Sequence, residues 1–253
     1  MTTQLRVLVG GTALVAGIAV LAGATAAPPA LSKDTYKKVA EADIAQLQKT
    51  LATCEMDASQ AKRYGPTAKS LAMMVATYGE ITGDKALKDQ AMKVVDSIIA
   101  KKFDAASAAA KGLAVKPGAA PLAPSGLAKA GKYTLDEVMS PFRGGTVGGV
   151  NIEKDIRSLR DGKMDVVPAD VEVLAARTAI LLDYATTMPN DKASTNKANT
   201  ADWEKMSKDS IDLAKKISDE AAKGKTANSK EIVKMIKALD AKCVNCHNKF
   251  RDD

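Results

Sequence analysis

A Cys-x-x-Cys-His motif at Cys243, Cys246 and His247 restricts the possible structures of this 253-residue chain more strongly than any other segment. Two thiols at this spacing lie on one helical turn, where each can add to a vinyl group of the same haem. The adjacent imidazole can then bind the iron as its proximal ligand. The chain contains one histidine and three cysteines, and the motif uses the histidine and two of the cysteines. The motif therefore predicts one covalently attached haem of the c type, with His247 as a ligand of its iron.

Other chemical roles fit the motif less well. A structural zinc site needs four ligands, and two cysteines with one histidine leave it one ligand short. A redox-active dithiol usually follows a strand of a βαβ unit, whereas the segments around this motif have helical patterns. A disulfide between Cys243 and Cys246 is the remaining alternative.

Apolar residues recur at intervals of three and four along most of the chain, which indicates helices. Aromatic residues make up only 4% of the sequence, and the chain is rich in alanine, lysine, leucine and methionine, as is typical of an all-α protein. The pattern predicts helices at residues 33–56, 66–78, 85–103, 135–143, 152–160, 168–188, 203–223 and 229–250. Pro66 and Pro168 are expected to open their helices, as proline does at a first helical position. In the last helix, Cys243 and Cys246 continue the apolar face, so the haem would lie against the core of a bundle.

The first 26 residues have the features of a secretory signal peptide. Arg6 supplies a positive charge, an apolar run follows at 7–23, and Ala24-Thr25-Ala26 offers the small residues of a cleavage site. An uncleaved membrane anchor is the alternative, although the run is short for a membrane span. Export agrees with the haem prediction, because c-type attachment takes place outside the cytoplasm. We therefore expect a periplasmic protein with no stable membrane span after cleavage.

The rest of the chain is long enough for two small domains. Residues 114–131 are rich in alanine, glycine and proline and are predicted to form a linker. The linker separates an N-terminal helical domain at 33–113 from a haem-binding domain at 132–253. The helices expected at Pro66 and Pro168 begin in a similar way. The first domain is therefore either a degenerate copy of the second or unrelated to it.

The sequence Cys-x-x-Cys-His-x-x-Phe-Arg, which ends at Phe250 and Arg251, resembles the cytochrome c-prime family of class II c-type cytochromes. The resemblance covers about residues 132–253 and implies an antiparallel four-helix bundle that carries one haem. It also implies thioether bonds from both cysteines of the motif, proximal ligation by the histidine and a position beside the haem for Arg251. The chain departs from the family in two ways. Pro141 and the glycine pairs at 144–149 interrupt the family's long first helix, and the chain has nearly twice the family's length.

Within that family, the residue on the distal side of the iron separates two functions. A methionine ligand makes six-coordinate iron suited to electron transfer, and a non-ligating apolar residue leaves five-coordinate iron that binds nitric oxide or carbon monoxide. Met139 is the candidate sixth ligand, because it lies on the short helix that replaces the family's first helix. Met164 is the second candidate, and packing roles for both are the alternative. Arg143 follows Met139 by one turn and is expected to meet a haem propionate.

These observations predict an exported monohaem cytochrome that carries single electrons between redox partner proteins. A five-coordinate gas-binding haem protein is the alternative. An enzyme such as a peroxidase is not expected, because no second histidine remains for acid–base work. Nucleic acid binding is not expected either, because the net charge of +7 comes with no arginine-rich patch interleaved with aromatic residues. We expect a monomer in which residues 33–131 dock on the haem bundle as a built-in second subunit, with a homodimer as the alternative.

Overall fold

The structure is a computed structural model that describes residues 31–116, 133–143 and 150–251. The predicted signal peptide, most of the predicted linker and the glycine pairs at 144–149 lie outside the described residues. Every regular element within the described residues is a helix, which confirms the all-α prediction. None of these helices is both long enough and apolar enough to cross a membrane.

The N-terminal half of the chain is a set of helices that pack around one core. They are α1 Lys33–Cys54, α2 Ala58–Thr82, α3 Lys85–Ile99 and α4 Phe103–Lys111. Each helix packs against the next, and α4 returns to pack against α1. The apolar faces of α1, α2 and α3 meet in a core that includes Leu47, Leu51, Leu71 and Leu87, all of them fully buried.

The C-terminal half is built around three long helices that pack in sequence. Its helices are α5 Leu135–Met139, α6 Ile152–Arg160, α7 Pro168–Thr186, α8 Asp191–Ser194, α9 Lys197–Ala221 and α10 Ser229–Phe250. Helix α7 packs along α9, α9 packs against α10, and α10 packs against α6. A single 3₁₀ turn, Ser140–Phe142, extends α5. The helices of this half share a core that contains Ile156, Leu181, Ile217 and Ile236.

Two local predictions were wrong because capping residues begin helices earlier than expected. Pro66 lies inside α2 and does not open it; Asp57 caps the helix, and its side chain accepts a hydrogen bond from the amide of Gln60 at 2.9 Å. The segment 190–200, predicted as a loop, contains α8 and the start of α9. Asn190 and Asn196 cap these two helices with side-chain oxygens, a role that suits asparagine well.

The two halves are packed directly against each other. Val39 of α1 and Met74 of α2 belong to the apolar core of the C-terminal half. Ion pairs also join the halves. The guanidinium of Arg177 on α7 binds the carboxylate of Asp43 on α1 at 2.5 Å, and both side chains are almost fully buried. The interface therefore combines an apolar core with charge pairs that specify how the halves fit together.

Candidate functional site

Helix α10 positions the Cys-x-x-Cys-His motif. The side chain of Asn228 caps its first turn by accepting hydrogen bonds from the amides of Lys230 and Glu231. Ser229 is the first helical residue. Ile232, Ile236 and Leu239 are buried on one face of the helix, and Cys243 and Cys246 lie half-buried farther along it. The apolar spacing of the sequence therefore brings the motif to the edge of the core.

The motif faces a cavity of about 340 Å³ that is lined by residues of α5, α6, α7, α9 and α10 and of the segments beside them. Six of the seven residues that the sequence predicted as candidates for the haem site line this cavity: Met139, Arg143, Cys243, Cys246, His247 and Arg251. They come from two segments about one hundred residues apart in sequence, which only the tertiary fold brings together. Met164 lies on the exposed turn between α6 and α7 and does not line the cavity.

Apolar side chains supply most of the remaining wall. Phe142 contributes from the 3₁₀ turn, Ile156 from α6, Leu182 from α7 and Trp203 from α9. An apolar cavity of a few hundred Å³ with a few convergent polar groups is typical of a small-molecule or cofactor site.

Burial controls the protonation of the motif. It raises the pKa of the Cys243 thiol to about 12, and the negative charge of Asp240 adds to this effect. Burial also raises the pKa of Cys246. For His247, burial lowers the pKa, and the positive charge of Arg251 lowers it further. At neutral pH the two thiols are therefore protonated and the imidazole is neutral, which is the form in which histidine binds metals.

Three arginines line the cavity, together with the carboxylates of Asp136, Glu153 and Asp240. Arg143 pairs with Asp136, and Arg157 pairs with Glu153 at 2.5 Å. The third, Arg251, is exposed at the end of α10. Guanidinium groups in such positions can form charge-assisted hydrogen bonds with carboxylates of a bound molecule.

The cavity residues that the sequence did not predict for the site include Met206 and Arg157. Met206 of α9 lines the cavity, although its helical spacing indicated only a packing role. Arg157 lines it as well, one turn after Glu153 on α6. The sequence places Met206 on the same helical face as Trp203. It does not show that this face borders the cavity, because that depends on how α9 packs against α10.

Neighbouring segments fix the end of α10. The rings of Trp203 and Phe250 pack in a T-shaped arrangement, with ring centroids 5.4 Å apart. The side-chain amide of Asn190 donates a hydrogen bond to the carbonyl of Phe250 at 2.5 Å, and the ammonium of Lys192 donates one to the carbonyl of Arg251 at 2.9 Å. These contacts hold the turn that carries His247.

The donor set of the cavity fits a covalently attached haem. It offers two thiols at the required spacing, one neutral imidazole beside them, an apolar wall and arginines suited to carboxylates. Comparisons with family models, with curated proteins and with solved structures find no match for this chain. The assignment of the site therefore depends on the chemistry and positions of these residues alone.

Proposed function

We propose that this chain is an exported monohaem c-type cytochrome that carries single electrons between redox partner proteins. The observation that carries the proposal is that six of the seven residues singled out in the sequence, all except Met164, line one apolar cavity. When bound, haem supplies reversible one-electron chemistry at its iron. The expectation of export rests on the signal-peptide pattern of the first 26 residues.

Each residue of the motif has a distinct role in this proposal. The thiols of Cys243 and Cys246 each contribute a sulfur to one thioether bond and a hydrogen to the other carbon of the same vinyl group. The neutral imidazole of His247 offers a nitrogen lone pair to the iron. Arg143 and Arg251 would bind the propionates, and the apolar wall would contact the haem ring.

The proposed architecture is a haem bundle of the c-prime type. In this assignment α7, α9 and α10 are three helices of the bundle, and α5 together with α6 replaces the long first helix of that family. The consecutive packing of α7, α9 and α10 supports the assignment, as does the position of the motif on α10. The N-terminal half then covers the bundle where a second subunit would otherwise pack.

Two methionines in the cavity wall, Met139 and Met206, favour electron transfer over gas binding. A thioether sulfur on the iron raises the reduction potential and occupies the position that a gas would need. The alternative function, binding of nitric oxide or carbon monoxide by five-coordinate haem, requires both methionines to serve only as packing residues.

Optical spectra of the oxidised, reduced and carbon monoxide-treated protein separate these functions. We expect a low-spin oxidised spectrum with the weak long-wavelength band of sulfur–iron coordination. Met139→Ala should convert it to a high-spin spectrum and allow carbon monoxide to bind.

Met164→Ala is the matched control and should change nothing, because Met164 lies outside the cavity. If Met206→Ala has the effect expected of Met139→Ala, then Met206 is the ligand. A high-spin spectrum of the unmutated protein would contradict both and favour gas binding.

The full-length chain is expected to be a monomer. Apolar residues of α1 and α2 share the core of the C-terminal half, so this half loses part of its core when it is produced alone. We expect residues 132–253 alone to be unstable or to dimerise, as light scattering would detect. A dimeric full-length chain together with a stable monomeric fragment would show that the N-terminal half is an independent module.

A further inference from the structure

The segment 133–143 forms part of the cavity wall but has little structure of its own. It comprises α5, which has five residues, and the 3₁₀ turn that follows. Leu135, Met139, Phe142 and Arg143 of this segment line the cavity. An isolated helix of this length is not stable in water, because nucleation costs more than so few hydrogen bonds return. Contacts with other parts of the fold must therefore hold the segment in the cavity wall.

Helix α2 of the N-terminal half supplies a set of polar contacts to this segment. The ammonium of Lys69 binds the carboxylate of Glu137 at 2.8 Å, and the hydroxyl of Ser70 donates a hydrogen bond to the carbonyl of Glu137. In return, the hydroxyl of Tyr133 donates to the carbonyl of Lys69 at 3.0 Å. The hydroxyls of Thr67 and Ser140 lie 3.2 Å apart. We call these contacts the α2 clamp.

Glu137 connects the clamp to the helix itself. Its carboxylate also accepts a hydrogen bond from the amide of Thr134 at 2.9 Å, while the hydroxyl of Thr134 accepts one from the amide of Glu137. This reciprocal arrangement is a capping box, which stabilises the start of a helix. One carboxylate therefore caps α5 and binds it to the N-terminal half.

The central ion pair is shielded from solvent. The side chain of Lys69 is only 6% exposed and that of Glu137 is 23% exposed. The ammonium of Lys69 also lies 5.3 Å from the centre of the Tyr133 ring, a cation–π distance. A buried lysine is costly unless it is paired, so the positions of Lys69 and Glu137 depend on each other.

We propose that the N-terminal half holds segment 133–143 in the wall of the haem cavity through the α2 clamp, with Lys69 and Glu137 as positioning residues. None of the described residues at 31–116 lines the cavity. The clamp therefore gives the N-terminal half an indirect role in the proposed haem chemistry. The part of the inference that concerns haem rests on the proposed function; the part that concerns the segment does not.

Hydrogen exchange of the full chain, read by mass spectrometry over 133–143, tests the structural part. Lys69→Met should accelerate exchange of the amides in this segment by at least about tenfold, the factor that corresponds to one charge-assisted hydrogen bond. Lys38→Met is the matched control. Lys38 also joins the halves, through Glu172 at 2.6 Å, but it connects α1 to α7 and is not one of the residues of the α2 clamp. Unchanged exchange in Lys69→Met, or equal acceleration in both variants, would overturn the inference.

A second variant guards against misfolding of Lys69→Met. Glu137→Gln keeps a side-chain oxygen that can cap α5 but removes the charge that binds Lys69. It should also accelerate exchange over 133–143, by a smaller factor. If the amides of 133–143 exchange as slowly in this variant as in the unmutated chain, the ion pair has no positioning role.

The rate of carbon monoxide binding to the reduced protein tests the part that concerns haem. Lys69→Met should raise this rate by at least about tenfold, since the wall that carries Met139 opens more often, while Lys38→Met leaves it unchanged. Faster exchange with unchanged carbon monoxide binding would overturn the claim that the clamp acts on the haem site. If the chain carries no covalent haem, the proposed function is refuted. The hydrogen-exchange result then tests by itself whether the α2 clamp holds segment 133–143.

Discussion

Replacing Cys243 and Cys246 together with alanine is expected to abolish covalent haem attachment completely. The two thiols are the only sulfhydryl groups in the cavity wall, so no other side chain there can form a thioether bond to a vinyl group. Intact-mass measurement of protein made in a host with a c-type haem maturation system would detect the loss of the haem mass. Acid–acetone extraction followed by an optical spectrum would detect it independently.

Cys54→Ala is the matched control for this experiment. Cys54 is buried in the N-terminal half, and burial raises the pKa of its thiol to about 11. Its replacement should leave haem attached. His247→Ala separates the two roles of the motif, because it should keep both thioether bonds while removing the proximal ligand. Haem that stays covalently attached after loss of both motif cysteines would contradict the assignment of the site.

Replacing Arg177 with methionine is expected to lower the free energy of unfolding by about 3–5 kcal/mol. The carboxylate of Asp43 is completely buried, and Arg177 binds one of its oxygens at 2.5 and 2.7 Å. The other oxygen has no hydrogen-bond partner among the described residues. Burial raises the pKa of Asp43, and Arg177 opposes that shift. Without the guanidinium, an uncompensated acid remains at the interface of the two halves. Urea unfolding of the full chain measures the difference.

Two further variants make this result specific. Adding Asp43→Leu to Arg177→Met should recover much of the lost stability, because a buried ion pair can be replaced as a whole at little cost. Lys85→Met breaks the exposed pair with Asp89 and should leave the urea unfolding midpoint almost unchanged, because exposed ion pairs contribute little to stability. A cost below about 1 kcal/mol for Arg177→Met would show that water reaches Asp43 and that the interface is looser than the structure indicates.

The sequence predicted the helical class and the centre of the site because both depend on local patterns. Apolar spacing along α10 was sufficient to put Cys243 and Cys246 on the core side of the helix. The prediction for Met139 needed only its place on the short helix beside Arg143. For the two cysteines and for Met139, the neighbouring residues in the sequence determine which side of the helix the residue occupies.

Other features depend on partners that are distant in sequence. Pro66 lies inside α2, whereas a proline suits the first position of a helix, so the local sequence indicates a helix start there. Arg177 and Asp43 are separated by 134 residues, so no local pattern indicates their pairing. Met206 became a cavity residue through the packing of α9 against α10.

The clamp shows the same dependence. A lysine at position 69, within a helix of the first half, gives no sign in the sequence that it binds Glu137 in the second half. The capping box of Thr134 and Glu137, in contrast, has a recognisable local spacing. The local sequence therefore predicts where α5 begins. Only the tertiary structure shows that Lys69 holds α5 against the N-terminal half.

Acid–acetone extraction of the unmutated protein tests the assignment of the motif most directly. The protein should be made in a host with a c-type haem maturation system, so that a thioether link can form if the chain directs one. Thioether bonds resist this treatment, whereas haem held only by its iron ligands dissolves in the acetone. We predict that the colour and the haem spectrum remain with the polypeptide. A colourless polypeptide, with haem in the acetone or none at all, would contradict covalent attachment at Cys243 and Cys246.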